Sequence, residues 1–348
     1  HDFMNSLSEA HKNGLNYIWV LVLADLTCIS FVGYIFSARM GEFLGKLSIA
    51  EAMGGMFGRH VRIITAICGF IGVAGVIAIQ FQVAGKLTHY AFGIEEKYGI
   101  IIAAIIVTSY SALGGIKAVT FTDVIQFITF SITIPLIAYF LLHNTETTSY
   151  VTESLSNNPL YDYTIVFDFT RPEPMQALFL FLFLAIPDFS PTIFQRISIA
   201  KDTLQVRQSF IVAGLICGFV QAMLCCIGVI LFTTHPELES SDVVPYLVAQ
   251  SAIIVGFKGL ILAGVMSMVM STVDSCINCS SVLIVHDFCK SLNIKFFKNE
   301  LVSTRIVAVL IGTIAVLISM KEGSILELLT FSSSFYMPIV SGPFLMAI

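Results

Sequence analysis

Charge is what this sequence has least of: only 12% of its 348 residues are Asp, Glu, Lys or Arg, against about a quarter in soluble domains. Together with 56% hydrophobic residues and a mean hydropathy of +0.88, that deficit excludes a soluble globular domain and identifies an integral membrane protein. Other absences narrow the chemistry. The pI of 5.8 and net charge of -5 average over two sides of a membrane, and nothing in the charge distribution supports a nucleic-acid partner. The eight cysteines fall almost all within apolar runs, without metal-ligand spacing, and read as small core residues. His60, His89, His143, His235 and His286 are scattered, and no Ser-His-Asp order, paired intramembrane aspartate motif or metal cluster points to an enzyme or a bound cofactor. No signal peptide is legible in residues 1–14. The chain begins with His1 and stops at Ile348 within an apolar stretch, so both ends read as cut.

What is abundant is apolar sequence of spanning length, about 20 residues. Such stretches fall near residues 17–38, 61–92, 98–113, 119–142, 176–196, 208–234, 256–286, 303–320 and 324–348. They predict an all-α, polytopic bundle of nine transmembrane helices in a single membrane domain over 1–348. With the N-terminus outside, alternating loops place Arg39, Lys46, Arg59, Arg62, Lys117, Arg196, Lys201, Arg207, Lys290, Lys295, Lys298 and Arg305 in or beside the cytoplasm. The opposite side keeps only Lys12, Lys97, Arg171, Lys258 and Lys321, with Lys86 in a helix near that surface. That asymmetry is the one expected of inward-facing basic loops.

Residues 262–287 carry the strongest functional signal. Ser267, Ser271, Asp274 with Ser275, Asn278 and Ser281 recur at steps of three or four, which places them on one face of a helix whose other faces are Leu, Ile, Val and Met. Hydrocarbon satisfies none of these oxygens, so the face is expected to look onto protein or a wet cavity, and Asp274 is a functional-site candidate.

Breakers mark two further segments. Pro187 and Pro191 bracket Asp188-Phe-Ser190 in the fifth run, while Pro338, Gly342 and Pro343 interrupt the ninth, which also holds Ser332, Ser333 and Ser334. Broken membrane helices expose backbone groups that are tolerated where they line a cavity; the alternative is a proline kink repaired by neighbours. Residues 143–174 and 235–250 are expected as outer loops with short structure of their own, the second with a helix after Asp242. Residues 41–60 are expected to contain an amphipathic turn of helix, with Ser48 as N-cap and Glu51 three residues later.

Three motifs in order carry a family resemblance. The run Ser109-Tyr-Ser-Ala-Leu-Gly-Gly-Ile-Lys-Ala-Val-Thr-Phe-Thr-Asp-Val-Ile-Gln126 resembles the signature of the sodium/solute symporter family, in which a glycine pair feeds a helix opening with aromatic-Thr-Asp-x-x-Gln. Phe194-Gln-Arg-Ile-Ser-Ile-Ala-Lys-Asp202 resembles that family's exit from its broken helix, and Val269-Met-Ser-Thr-Val-Asp-Ser275 its ion-helix hydroxyl pair. The resemblance covers essentially the whole chain. It implies two inverted repeats of five helices, with ion and solute bound between the first and sixth, both unwound. Aligning the motifs makes the nine helices the second to tenth of that core, with the first core helix lacking.

Carried over residue by residue, the resemblance implies sodium at the hydroxyls of Ser271 and Thr272 and the carbonyl of Met268. Oxygen ligands suit such a hard cation. The alternative is that these hydroxyls bond back to their own helix. Asp123 is implied to face the ion helix, or simply to be a favourable carboxylate in a first helical turn. Asp274 and Ser275 occupy positions where some members build a second cation site with that aspartate. A carboxylate there binds sodium more strongly, binds a proton, or is closed by a hydrogen bond. The solute pocket would draw on Asp25, Gln80, Gln82, Asp188 and Ser190, while Phe183 and Ile186 stand where sugar-transporting members carry Asn and a gating Tyr, which disfavours a sugar. An inward-pointing Asp25 or Asp188 favours a solute with an ammonium group; the alternative for Asp25 is a helix-helix hydrogen bond. The expectation is sodium-coupled symport of a small polar organic solute, such as an amino acid, organic acid or vitamin-like molecule, in a bacterial cytoplasmic membrane. Its partners are the solute, sodium and the lipid bilayer, with the oligomeric state left open. A solute-sensing domain and an inactive piece of a split gene are the rival readings.

Overall fold

Gly14 separates the first two helices, α1 (Phe3–Asn13) and α2 (Leu15–Phe31), with a φ of 56° that disfavours other residues. A Cβ there would also lie 2.8 Å from the Leu160 carbonyl oxygen. The computed structural model describes residues 3–144, 153, 155–156, 158–238, 243–250, 256–294, 299–320 and 335–348, and these contain helices and no strand. Ser332, Ser333, Ser334, Asp242, Lys295, Lys298 and Lys321 lie outside the described residues.

A cap related to the capping box opens α3 (Ile49–Phe57): Ser48 Oγ accepts the Glu51 N–H at 2.9 Å, while the Glu51 carboxylate accepts the N–H of Leu47, one residue before the cap, at 2.8 Å. Gly58 then turns the chain into α4 (Arg59–Phe92). The long helix α5 (Glu96–Asn144) is broken at Gly115, whose φ of 62° and ψ of -171° supply the bend that the glycine pair predicts. Between α5 and the fifth apolar run, Asp162 caps the short α6 (Tyr163–Val166), and Pro172 starts α7 (Pro172–Leu184). Six residues without regular structure then precede Pro191, where α8 (Pro191–Ser198) begins under a Ser190 cap. Helices α9 (Thr203–Thr234), α10 (Val243–Gln250), α11 (Phe257–Val282), α12 (Glu300–Ser319) and α13 (Gly342–Ala347) complete the order. Wide-pitched π turns extend α11 over Leu283–Cys289 and precede α13 over Met337–Ser341.

Among the described residues, seven helical stretches are long and apolar enough to cross a membrane. Two shorter apolar helices, Pro172–Leu184 and Met337–Ala347, fall in the fifth and ninth apolar runs, where prolines interrupt the hydrogen-bond ladder. The chain divides into two units: 1–35, 128–187 and 207–265 form the first, and 36–127, 188–206 and 266–348 the second.

Within the first unit, Ser6 and Gln221 exchange hydrogen bonds of 2.8 and 3.2 Å, and Trp19 packs on Phe167 and Phe181. In the second, Val73, Ile77 and Phe81 of α4, Ala103 and Val107 of α5, Val273 and Ile277 of α11, and Ala308 and Ile311 of α12 form one buried cluster. Close approach of α4 and α5 depends on glycine: a Cβ at Gly85 would sit 2.7 Å from Ile100. The free cysteines Cys68, Cys276, Cys279 and Cys289 are buried here as small core residues.

Candidate ion and solute site

The polar face of α11 meets the segment of α5 that follows the Gly115 bend, and does so within the second unit. Ser271 Oγ donates to Asp123 Oδ1 at 2.6 Å. The other oxygen of Asp123 accepts from Arg196 at the end of α8. The same guanidinium nitrogen donates to Ser275 Oγ at 2.8 Å. One arginine therefore bridges a carboxylate of α5 to a hydroxyl of α11, and three elements converge on a single polar cluster. Arg196 enters the sequence argument only through its motif and as a basic residue in or beside the cytoplasm; the signal that marks it is its place between Gln195 and the Ala200-Lys201 exit.

Asp274 points elsewhere. It is fully buried, its Oδ2 accepts from Tyr110 at 3.0 Å and from Thr122 at 3.4 Å, and its buried Oδ1 has no hydrogen-bond partner among the described residues. Ser111 donates to the Asp274 carbonyl at 3.4 Å. Each partner is a neutral hydroxyl, so among the described residues the Asp274 side chain has polar company and no direct cationic contact. An incompletely satisfied carboxylate buried this deeply carries a penalty of several kcal/mol unless a proton or cation joins it.

The remaining hydroxyls divide in two ways. Thr272 Oγ1 donates to the Met268 carbonyl at 3.1 Å, and Ser281 Oγ to the Ile277 carbonyl at 2.7 Å, both in their own helix. That geometry also sets the Thr272 hydroxyl beside the Met268 carbonyl, the two oxygens expected to share an ion. Asn278 and Ser281 line a cavity of about 170 Å³ with Ser111, Gly114, Gly115 and Arg305, next to the α5 bend.

The solute candidates fall in both units. Asp25, Phe183 and Ile186 belong to the first, where all three are exposed. Gln80, Gln82, Asp188 and Ser190 belong to the second. Gln80 is buried, and Gln82 is fixed by donating to the Ser319 carbonyl at 3.2 Å. Asp188 Oδ1 accepts from Ser341 Oγ at 2.9 Å, and Tyr336 donates to the Phe189 carbonyl at 2.6 Å. Residues 188–189, just before α8, are thus tied to the residues around the π turn that precedes α13, and Tyr336 satisfies the Phe189 carbonyl left outside any helix. Phe189, Phe194 and Phe344 pack edge to face around it. Ser190 spends its hydroxyl on the cap of α8, 3.5 Å from the Ile193 N–H, and on Thr192 at 3.2 Å.

A sequence model of the sodium:solute symporter family matches residues 2–348. Similar curated proteins include the sodium/iodide cotransporter of Homo sapiens, 22% identical over 97% of this chain and 55% of that protein. The sodium/sialic acid symporter NanT of Aliivibrio fischeri is 23% identical over 79% of this chain and 57% of its own. Sodium/proline symporter 2 of Staphylococcus saprophyticus is 24% identical over 81% and 56%. The chain therefore spans about half the length of the curated relatives it matches. Among solved structures, the crystal structure of MhsT in complex with L-phenylalanine shares the fold, with a TM-score of 0.60 at 12% identity, over 97% of this chain and 80% of that one.

Proposed function

Because the chain belongs to the sodium:solute symporter family, we propose that it forms the ion-coupled core of a secondary transporter, in which inward sodium movement drives uptake of a small polar organic solute by alternating access. The observation that supports this reading is the 2.6 Å bond between Ser271 and Asp123, which turns one hydroxyl of the α11 polar stripe towards a charged group of another helix, as expected of a functional polar face in a membrane helix. The oxygen set fits a hard monovalent cation. Ser271, Thr272 and the Met268 carbonyl supply one group of ligands. Asp123 and Ser275 supply a second, where Arg196 now neutralises Asp123 and an arriving ion must displace it or bind beside it; Asp274, turned towards Tyr110 and Thr122, would have to rotate to join that group.

Each sodium ion moving down the membrane potential releases about 2.3 kcal/mol per 100 mV, enough to accumulate a neutral solute without covalent chemistry. The relatives named for iodide, sialic acid and proline transport share the coupling ion in their names and not the solute. For this chain an amino acid, an organic acid or a vitamin-like molecule is the proposed class. Asp188 beside the helix break favours an ammonium-bearing solute, and Phe183 and Ile186 weigh against a sugar. The proposed location is a bacterial cytoplasmic membrane.

Uptake into vesicles containing the complete gene product, with and without a sodium gradient, tests the proposal across these solute classes. Accumulation is expected only with the gradient; equal uptake without it overturns the coupling.

A further inference from the structure

Away from the ion site, an open cleft of about 520 Å³ lies against α3 and the start of α4, bordered by Lys46, Arg59, Arg62, Lys290 and one acid, Glu51. The face is the one that the basic loops assign to the cytoplasm. Its walls are built, not incidental. Arg62 donates from Nε to Asp287 Oδ1 at 2.9 Å, and its terminal nitrogen lies 3.0 Å from His286 Nδ1. Asp287 is fully buried and also accepts from Ser48 Oγ at 2.5 Å. That carboxylate holds the Arg62 side chain across α3, where Gly54 makes room: a Cβ at Gly54 would lie 2.7 Å from Arg62 Cβ. Gly55, beside it, leaves open space.

With Arg62 neutralised by Asp287, the remaining charge is unbalanced. Lys290 reaches Glu300 only at 3.9 Å, with both side chains exposed. Among the described residues, Lys46 and Arg59 have no acidic partner within ion-pair distance. Three cations thus face a cleft with one carboxylate, and Glu51 already accepts the Leu47 N–H. Around the same helices Leu47, Phe57 and Ile64 are exposed apolar side chains. Excess positive charge beside exposed apolar surface on a cytoplasmic face matches the interfacial region of an anionic leaflet.

We propose that this cleft binds a phosphate-bearing anion, with Lys46, Arg59 and Lys290 as its charged contacts. Two sources share that chemistry: the headgroup of an anionic phospholipid and free inorganic phosphate. The exposed apolar rim leads us to expect the headgroup.

The test uses the full chain purified in neutral detergent, with its thermal unfolding midpoint read on adding phosphatidylglycerol, phosphatidylcholine or inorganic phosphate. Phosphatidylglycerol is expected to raise the midpoint and phosphatidylcholine to leave it unchanged. In the Lys46→Gln, Arg59→Gln double variant, half-maximal stabilisation should need about 30-fold more phosphatidylglycerol, since each basic side chain near a membrane surface contributes about fivefold. Lys97→Gln, on the opposite face, should respond as the unsubstituted chain does. An equal effect of phosphate, with the same dependence on Lys46 and Arg59, assigns the site to the free anion. Equal responses to the two lipids, or a double variant that responds like the parent, overturn the proposal. If the double variant does not unfold cooperatively, each single variant must show about a fivefold loss, and an unchanged response in either is equally fatal.

Discussion

Arg196 and Ser271 hold the two oxygens of Asp123 between them, one by an ion pair and one by a 2.6 Å hydrogen bond. A fixed guanidinium therefore stands where a mobile cation would find its carboxylate. Replacing Arg196 with Gln keeps some hydrogen bonding and removes the charge. The pair is partly exposed, so the sodium-free protein should lose about 1 to 3 kcal/mol, between the values for surface and buried pairs. Sodium should then stabilise the variant more than the parent, because ligand binding to the folded state adds to its stability. Unfolding midpoints measured with sodium and with an organic cation give both numbers. A sodium response no larger than the parent's would remove Asp123 from the ion's reach.

Ser271→Ala and Thr272→Ala separate a ligand role from packing. The two hydroxyls differ in what they now do: Ser271 donates across to α5, whereas Thr272 donates to Met268 one turn back in α11. Losing the Ser271 bond to a charged acceptor should cost about 1.5 to 3 kcal/mol, and losing the Thr272 bond about 1 kcal/mol. If both oxygens touch sodium, each substitution should raise the sodium concentration for half-maximal uptake about tenfold, equivalent to ~1.4 kcal/mol of binding. Thr272→Ser should restore it. A fall in membrane-inserted protein that parallels the fall in uptake would identify packing as the role of these hydroxyls.

Much of this geometry is legible in the residues because it is local. The three-and-four spacing from Ser267 to Ser281 gives the face of α11. The Gly114-Gly115 pair gives the α5 bend, and Ser48 with Glu51 gives the start of α3. Pro187 and Pro191 locate the break between α7 and α8. What is not legible depends on partners far apart in sequence. Nothing near Arg196 identifies Asp123 and Ser275 as its neighbours, and nothing near Ser48 announces Asp287. The π turns over Leu283–Cys289 and Met337–Ser341 also escape, since a helical period of 3.6 residues carries no mark of a locally wider ladder. Asp274 illustrates the boundary: its face follows from periodicity, but its pairing with Tyr110 and Thr122 follows only from the packing of α5.

Asp274→Asn examines the buried oxygen without a partner. Asn keeps the shape and an acceptor for Tyr110 and Thr122 while removing the charge. In sodium-free solution the variant should be at least as stable as the parent, since an incompletely satisfied buried carboxylate is costlier than a neutral amide. Its stabilisation by sodium should shrink if the carboxylate is an ion ligand. The readout is the sodium-induced shift of the unfolding midpoint, compared between variant and parent. A full sodium response in the variant excludes Asp274 from the ion's coordination and leaves it a structural acceptor for two hydroxyls.

The Arg62 and Asp287 pair offers a cycle that separates the cost of burying charge from the value of pairing it. Asp287 is fully buried, 2.8 Å from Arg62, and also takes the Ser48 hydroxyl. Asp287→Leu removes the acceptor of both Arg62 and the Ser48 hydroxyl and, because Arg62 borders the open cleft, should cost about 1.5 to 3 kcal/mol; Arg62→Leu strands a buried carboxylate and should cost about 3 to 5 kcal/mol. Replacing both with Leu removes the uncompensated charges together. The double variant should lose less than the sum of the singles by about 1 to 3 kcal/mol, the range for residues in direct contact. Unfolding midpoints of the four proteins in one detergent supply the coupling. Ser48 sharpens the outcome: its hydroxyl also caps α3 through the Glu51 N–H, so in the double variant it can still cap the helix while losing only the carboxylate. Additive losses would mean that the clasp acts through the Ser48 cap alone and that Arg62 is held instead by His286, whose Nδ1 and carbonyl oxygen lie 3.0 and 3.4 Å from its terminal nitrogen.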